Sequence, residues 1–212
     1  MENHPVLKLI EEGEHQRLDF KFAVNDSRKI ARSLSAFANT EGGRLLIGVK
    51  DNGKIAGVRS NEEFYMLQAA SELYTEPKVP FEVKTHLIGG REVMEVVIEK
   101  SELRPHKAPD EKGRMRAFVR VKDENLLANG LLLRVWEKEK SGNGVEISYG
   151  KAESFLLRYL NEYPYITFSK FRKSSGISFK KAESVLVDFI LSGIIKIDIS
   201  SNFICYRLSD SD

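Results

Sequence analysis

Apolar residues recur along this chain at two different periods, and the switches between them mark out elements. Residues 6–12 are amphipathic at the helical period and stop at Gly13. Residues 16–22 alternate instead, with Leu18, Phe20 and Phe22 on one face and Arg17, Asp19 and Lys21 on the other, which predicts a strand. Ile30, Leu34 and Phe37 then fall at i, i+4 and i+7, the buried stripe of a helix running to about Asn39. Asp26 or Ser27 can cap it. Gly42-Gly43 is a helix-stop signal. Residues 44–50 read as a central strand, and Asp51-Asn52-Gly53 as a hairpin turn, because Asn and Gly tolerate positive φ. A helix over 61–73 comes next, then strands over 79–87 and 92–98 around Ile88-Gly89-Gly90-Arg91. A long loop over 101–112 and a strand over Met115–Val121 complete an α+β unit with a mixed sheet.

Residues 138–149 read as a linker, where Lys138-Glu139-Lys140 runs into the breakers Ser141-Gly142-Asn143-Gly144. The remaining residues, from 150 on, have their own core pattern. Ala152, Phe155, Leu156, Tyr159 and Leu160 mark one helix, and residues 167–173 a short second one. After the turn Ser174-Ser175-Gly176-Ile177, Ser178 caps a third helix through Leu191. Strands over 194–199 and 203–208 flank Ser200-Ser201-Asn202. Three helices and a hairpin are the layout of a winged helix-turn-helix. The expected organisation is a domain over 1–137, a linker over 138–149 and a second domain over 150–212.

Composition narrows the classes. Of 212 residues, 30% are charged and 42% hydrophobic, a soluble globular balance. No apolar run approaches the ~20 residues of a membrane span, and no export signal is expected from the first residues. Cys205 is the single cysteine, so no internal disulfide can form and a cytoplasmic setting is expected. The net charge of +2 is unevenly spread. Residues 104–122 hold seven basic side chains against Asp110 and Glu111, net +5, and residues 164–181 hold five and no acid, again +5. Two local basic patches on a near-neutral chain imply an anionic partner at defined faces.

One stretch imitates a phosphate-binding loop. Gly48-Val49-Lys50-Asp51-Asn52-Gly53-Lys54 matches its first seven positions, but Ile55 stands where Ser or Thr should hold magnesium. Such a loop must also open a helix whose N-terminus faces the phosphates. Ile55-Ala56-Gly57-Val58 suits the return arm of a hairpin instead. ATPase chemistry is therefore not expected.

Leu18-Asp19-Phe20-Lys21, Ala36-Phe37-Ala38-Asn39-Thr40-Glu41-Gly42-Gly43 and Gly48–Gly53 together resemble the Schlafen AlbA-like domain family, once labelled divergent AAA. Pro105-His106-Lys107 and the run from Arg120 through Lys122-Asp123-Glu124 to Asn125 resemble the end of the same domain in bacterial members. The resemblance covers roughly residues 5–137, and the Phe-Ala-Asn-Thr-x-Gly-Gly run is its most specific part. It implies a nucleic-acid-binding Schlafen AlbA-like mixed-sheet domain, here followed by a small winged helix-turn-helix. Some relatives cut RNA with three carboxylates. The matching positions are Glu14, Asp19 and Asp51, which would hold Mg²⁺ or Mn²⁺ if the chain is a nuclease. Lys21 would then contact a substrate phosphate. Asp19 departs from the family's usual Glu, and one methylene less misplaces a ligand by about an ångström, enough to cost large factors in rate.

The candidate contacts to DNA or RNA fall on several elements. Arg28, Lys29 and Arg32 lie in the first turns of a helix, away from its apolar stripe. On 115–121 the alternation sends Met115, Ala117, Val119 and Val121 inward, and Arg114, Arg116, Phe118, Arg120 and Lys122 outward. Those cations could track a backbone while Phe118 stacks a base. In the second domain Lys170, Arg172 and Lys173 suit phosphates, and Ser178, Lys180, Lys181 and Ser184 begin the helix that would enter a major groove. His4, His15, His86 and His106 lack ligand spacing, which argues against zinc. The expected protein is a DNA-binding transcriptional regulator without a cofactor, as a homodimer reading two half-sites. The alternatives are the metal-dependent ribonuclease and a protein–protein adaptor.

Overall fold

In the computed structural model, which describes residues 4–142, 149–200 and 203–210, the chain divides into two units at Ala128/Asn129. The first begins with α1 (Pro5–Glu12), started by Pro5 and by the His4 ring, which accepts the Val6 N–H, and stopped by Gly13 at φ 73°. Strand β1 (Leu18–Lys21) leads to α2 (Ser27–Asn39), where Asp26 accepts the Arg28 N–H at 2.9 Å and caps the helix as expected. Then come β2 (Gly43–Ile47), α3 (Glu62–Tyr74), β3 (Glu82–Ile88) and β4 (Arg91–Ile98). The unit closes with β5 (Lys107–Pro109), β6 (Met115–Val121) and β7 (Glu124–Leu127).

Four strands form a mixed sheet in the order β1-β2-β4-β3, with β1 and β2 parallel. Strands β5, β6 and β7 form a separate antiparallel sheet. Both faces of the larger sheet are covered. Leu18, Phe20 and Leu46 pack with Val6 of α1, while Leu45 and Ile47 join Ile30, Leu34 and Phe37 of α2 on the other side. The main core continues through Leu67 of α3 to Ala108 of β5 and Phe118 of β6, so α2 is enclosed from several sides. Ser33, Ser35 and Asn39 are buried on it along with its apolar stripe.

This enclosure corrects three expectations. Asp19 does lie opposite Leu18 and Phe20, but that face looks into the α2 side of the sheet, and Asp19 is buried. Phe118 and Arg120 are buried rather than outward, because the face of β6 assigned to water is covered. Met115, assigned inward, is exposed. The loop over 101–112 contains β5, and β7, four residues without a clear alternation, had no expectation at all.

The phosphate-loop mimic is a hairpin. Val49 bridges Ile55, and the Lys50 N–H donates to the Lys54 carbonyl at 3.0 Å. Gly48 sits at φ 91°, where a Cβ would lie 2.9 Å from the backbone at Gly57 and Val58. No helix opens after Lys54; α3 begins at Glu62.

The second unit starts with α4 (Gly130–Lys140), capped by Asn129, whose Oδ1 accepts the Leu132 N–H at 2.7 Å. Beyond it lie α5 (Lys151–Glu162), α6 (Phe168–Ser175), α7 (Phe179–Leu191), β8 (Ile195–Ile199) and β9 (Ile204–Leu208). Thr167 and Ser178 cap α6 and α7, and Gly176 at φ 66° makes the left-handed turn between them. Strands β8 and β9 pair antiparallel, and Ile166 adds a bridge to Tyr206. Leu131 and Val135 of α4 pack with Leu156, Phe171, Leu186 and Phe189. The domain boundary expected at residue 137 falls inside this helix; the helix's core residues group it with the second unit instead. Residues 143–148 of the expected linker and Ser201-Asn202 of the expected turn lie outside the described residues. Among the described residues no helix is long and apolar enough to cross a membrane.

Candidate nucleic-acid interface

Alongside α2, the three-stranded sheet and the loop between β5 and β6 bound a groove of about 510 Å³. Its cations come from three places in the sequence: Lys21 on β1, Lys29 and Arg32 on α2, and Lys112 and Arg114 on the loop. Two acids, Asp110 and Glu111, also line it. Asp110 is occupied locally. It accepts the backbone N–H groups of Arg114 and Lys112, each at 2.9 Å, and Arg114 Nε at 2.8 Å. The Arg114 backbone hydrogen bond first, helped by the Arg114 guanidinium and the Lys112 N–H, holds the Asp110 carboxyl down to about 2 despite burial acting the other way. The loop is thereby folded, with Arg114 anchored at its base. Arg32 Nε donates to the Pro109 carbonyl at 2.8 Å and ties α2 to the same loop.

The floor is set by β6 and β7. Phe118 is the register partner of Leu127, and Arg120 of Asn125. Asn125 Nδ2 donates to Ser33 Oγ of α2 at 2.9 Å, while Asn125 Oδ1 accepts from Arg120 Nη1 at 3.1 Å. The Arg120 guanidinium is the hub. Its Nη2 reaches the Leu18 carbonyl and Asp19 Oδ1, both at 3.2 Å, and it lies 5.1 Å from the Phe37 ring centroid. Lys21 Nζ sits 2.6 Å from Asp19 Oδ2. That oxygen and Arg120 Nε are buried without a well-angled hydrogen bond, so charge rather than geometry compensates them.

The three candidate carboxylates do not converge. Glu14 and Asp19 meet: Glu14 Oε1 accepts the Phe20 N–H at 2.8 Å, and burial first, then a side-chain hydrogen bond to Asp19, raises the Glu14 pKa. Asp51 is exposed on its turn. Among the described residues no group of three His, Cys, Asp or Glu side chains could hold a metal ion. Both Asp19 oxygens face cations instead, so this donor set does not fit Mg²⁺ or Mn²⁺.

Of the other candidates in this unit, Arg28 pairs with Asp26 at 3.4 Å, and Arg116 and Lys122 are exposed outside the groove lining. In the second unit Lys170, Lys173 and Lys180 are exposed and Arg172 is half-buried. Lys181 is drawn to the buried Glu153, with Nζ 2.7 Å from Oε1. Burial pushes the Glu153 pKa up, but the Lys181 hydrogen bond and charge outweigh it and leave the carboxyl lowered. Ser178 Oγ serves as the α7 cap, and Ser184 Oγ donates to Asp188 at 3.3 Å. Ser33, Asn125 and Leu127 were not singled out from the sequence. Only Asn125 carried a signal, as the end of the run beginning at Arg120.

An α+β unit with cations gathered along one helix and a small sheet has the makings of a nucleic-acid-related domain. The family described as Schlafen, AlbA_2 matches residues 14–129, more than half of the chain, and the chain belongs to that family. Among solved structures it is similar to the DIP2311 protein of Corynebacterium diphtheriae, with 19% identity, a TM-score of 0.46, and coverage of 68% of this chain and 33% of that one. This chain therefore spans about a third of that protein's length. It is also similar to the N-terminal domain of a RecG-related protein from Nitrosomonas europaea, with 16% identity, a TM-score of 0.39, and coverage of 60% of this chain and 92% of that one. No curated protein matches.

Proposed function

We propose that the protein binds nucleic acid, DNA foremost, and acts as a transcriptional regulator. One observation carries the reading: Lys21, Lys29, Arg32, Lys112 and Arg114, distant in sequence, line one groove against two acids, Glu111 and the Asp110 that Arg114 holds. With Lys21 paired to Asp19 and Arg114 to Asp110, Lys29, Arg32 and Lys112 are the cations that would neutralise phosphates, and each such contact releases counterions. The second unit supports the same reading as a winged helix-turn-helix. Helices α5, α6 and α7 precede the β8–β9 hairpin, and Lys170, Lys173 and Lys180 are exposed on α6 and at the start of α7. In such a unit α7 enters the major groove. A homodimer would present two copies to two half-sites.

Fluorescence anisotropy with labelled single-stranded and duplex DNA tests this at about 50 and 200 mM salt. Binding at the lower salt should weaken steeply at the higher one, and the Lys29→Glu/Lys112→Glu variant should weaken binding to at least one of the two probes. No binding at the lower salt, or binding unaffected by the variant, overturns the reading.

A further inference from the structure

We infer that the groove of the first unit takes an unpaired nucleotide within a single strand, while duplex is left to the second unit. This deepens the nucleic-acid reading above and rests on it.

The groove is only partly a phosphate site. Phe118 and Leu127 face each other across the β6–β7 register, and Leu127 is 47% exposed. An exposed leucine beside a buried phenylalanine offers nothing to a phosphate and an apolar contact to a base. Next to them are Asn125 and Ser33. Asn125 spends one amide hydrogen on Ser33 and one lone pair on Arg120, which leaves one donor and one acceptor of the amide for a base edge. Buried Arg120 holds Asn125, and Asn125 holds Ser33, so this polar pair is placed before a ligand arrives. Lys29, Arg32 and Lys112 surround this polar and apolar patch with charge for the flanking phosphates.

Size points the same way. A volume of about 510 Å³ lies within the roughly 300–1,000 Å³ of pockets that enclose a small ligand. A nucleotide suits that range, and a duplex does not enter it. A paired base hides its faces in the stack and must be extruded before it can reach such a floor, at a cost in free energy. An unpaired base meets it directly. The second unit offers the contrary surface, with Lys170 and Lys173 exposed on α6 and Lys180 at the start of α7.

The test uses the full chain and one labelled strand of about 20 nucleotides, alone and annealed to its complement, followed by anisotropy. Leu127→Glu puts a charge on the apolar contact at an exposed position, and Leu127→Ala removes the contact without adding charge. Both are checked by circular dichroism for retention of fold. Leu127→Glu should weaken single-strand binding by about tenfold or more and duplex binding by less than about twofold. Leu127→Ala should act in the same direction and less. Lys173→Glu/Lys180→Glu should show the opposite selectivity. Equal weakening of both probes by the Leu127 variants, or no weakening of the single strand, overturns the inference and leaves the parent reading standing. So does wild-type protein that binds duplex alone. Displacement of the strand by an equal concentration of free mononucleotide overturns it too, since the pocket would then belong to a small molecule. Failure to bind either probe removes the parent reading, and this one with it.

Discussion

Asn39 and His106 hold each other by two hydrogen bonds: the His106 N–H donates to Asn39 Oδ1 at 2.7 Å, and Asn39 Nδ2 donates to the His106 carbonyl at 2.8 Å. Asn39 Nδ2 also reaches the Phe118 carbonyl at 2.9 Å. Its neighbour Thr40 donates to the Ala36 carbonyl at 2.7 Å and accepts the Arg120 N–H at 2.9 Å. The most specific family run in the sequence is thus a clamp between the end of α2 and strands β5 and β6. Asn39→Ala would leave the buried His106 N–H without its acceptor, at about 1–3 kcal/mol before relaxation, and would take one donor from the His106 and Phe118 carbonyls, the former keeping Ser35 Oγ at 2.8 Å. Urea unfolding should show a loss of about 2 kcal/mol or more. A loss below about 1 kcal/mol would mean the clamp is dispensable.

Arg120 and Asp19 form a buried ion pair in this unit, with side chains 1% and 4% exposed. Removing one partner of such a pair typically costs about 3–5 kcal/mol, while replacing both with apolar residues can be neutral. Arg120→Ala should therefore destabilise strongly, and Arg120→Met/Asp19→Leu should recover much of the loss. Chemical denaturation of the single and double variants measures the coupling. Additive effects would show that the two charges do not depend on each other.

Glu14 supplies a pH dependence. Burial first, and the hydrogen bond to Asp19 second, raises its carboxyl above the ordinary 4.5. A raised native pKa favours the protonated form in the fold. The resulting stabilisation is complete below the unfolded-state value and is lost as pH rises through the native one. Glu14→Gln keeps an acceptor for the Phe20 N–H and cannot ionise. Its stability relative to wild type should climb across that window and then level off, as read from urea midpoints at a series of pH values. A difference that is flat with pH would refute the assignment.

The sequence disclosed elements more readily than environments. The cap at Asp26, the stripe of α2, the Gly48–Gly53 hairpin and the order α5, α6, α7, β8, β9 were all legible, because each rests on local chemistry. The fate of a polar strand face was not. Alternation told which residues share a side of β1 or β6, but not whether that side meets water or another layer. Asp19 and Arg120 looked like surface charges for that reason, although each neutralises the other in the interior. Strand β7 has too few residues for a period, and α4 was hidden by the charged residues that come after its core positions. The groove's cations were visible as a patch over 104–122 and as the first turns of α2. That they meet is a product of the tertiary fold.

Lys180 and Lys181, adjacent in sequence, should behave differently. Lys181→Ala removes the partner of buried Glu153 and should lower stability by about 1 kcal/mol, since the lysine itself is half exposed. Lys180→Ala should leave stability unchanged and, if α7 contacts DNA, reduce the salt dependence of duplex binding by about one contact. Thermal melts and a salt titration separate the two. A Lys181 variant that loses affinity at unchanged stability would reverse the assignment.

Arg120 touches Asp19 and Asn125 directly, and through them Lys21 and Ser33. Positions 19, 33, 120 and 125 are then not free to drift one at a time. A lineage that gives up the arginine must replace the aspartate with it or leave a buried carboxylate to Lys21 alone. Across relatives these residues should change together, as a set inherited whole or exchanged whole.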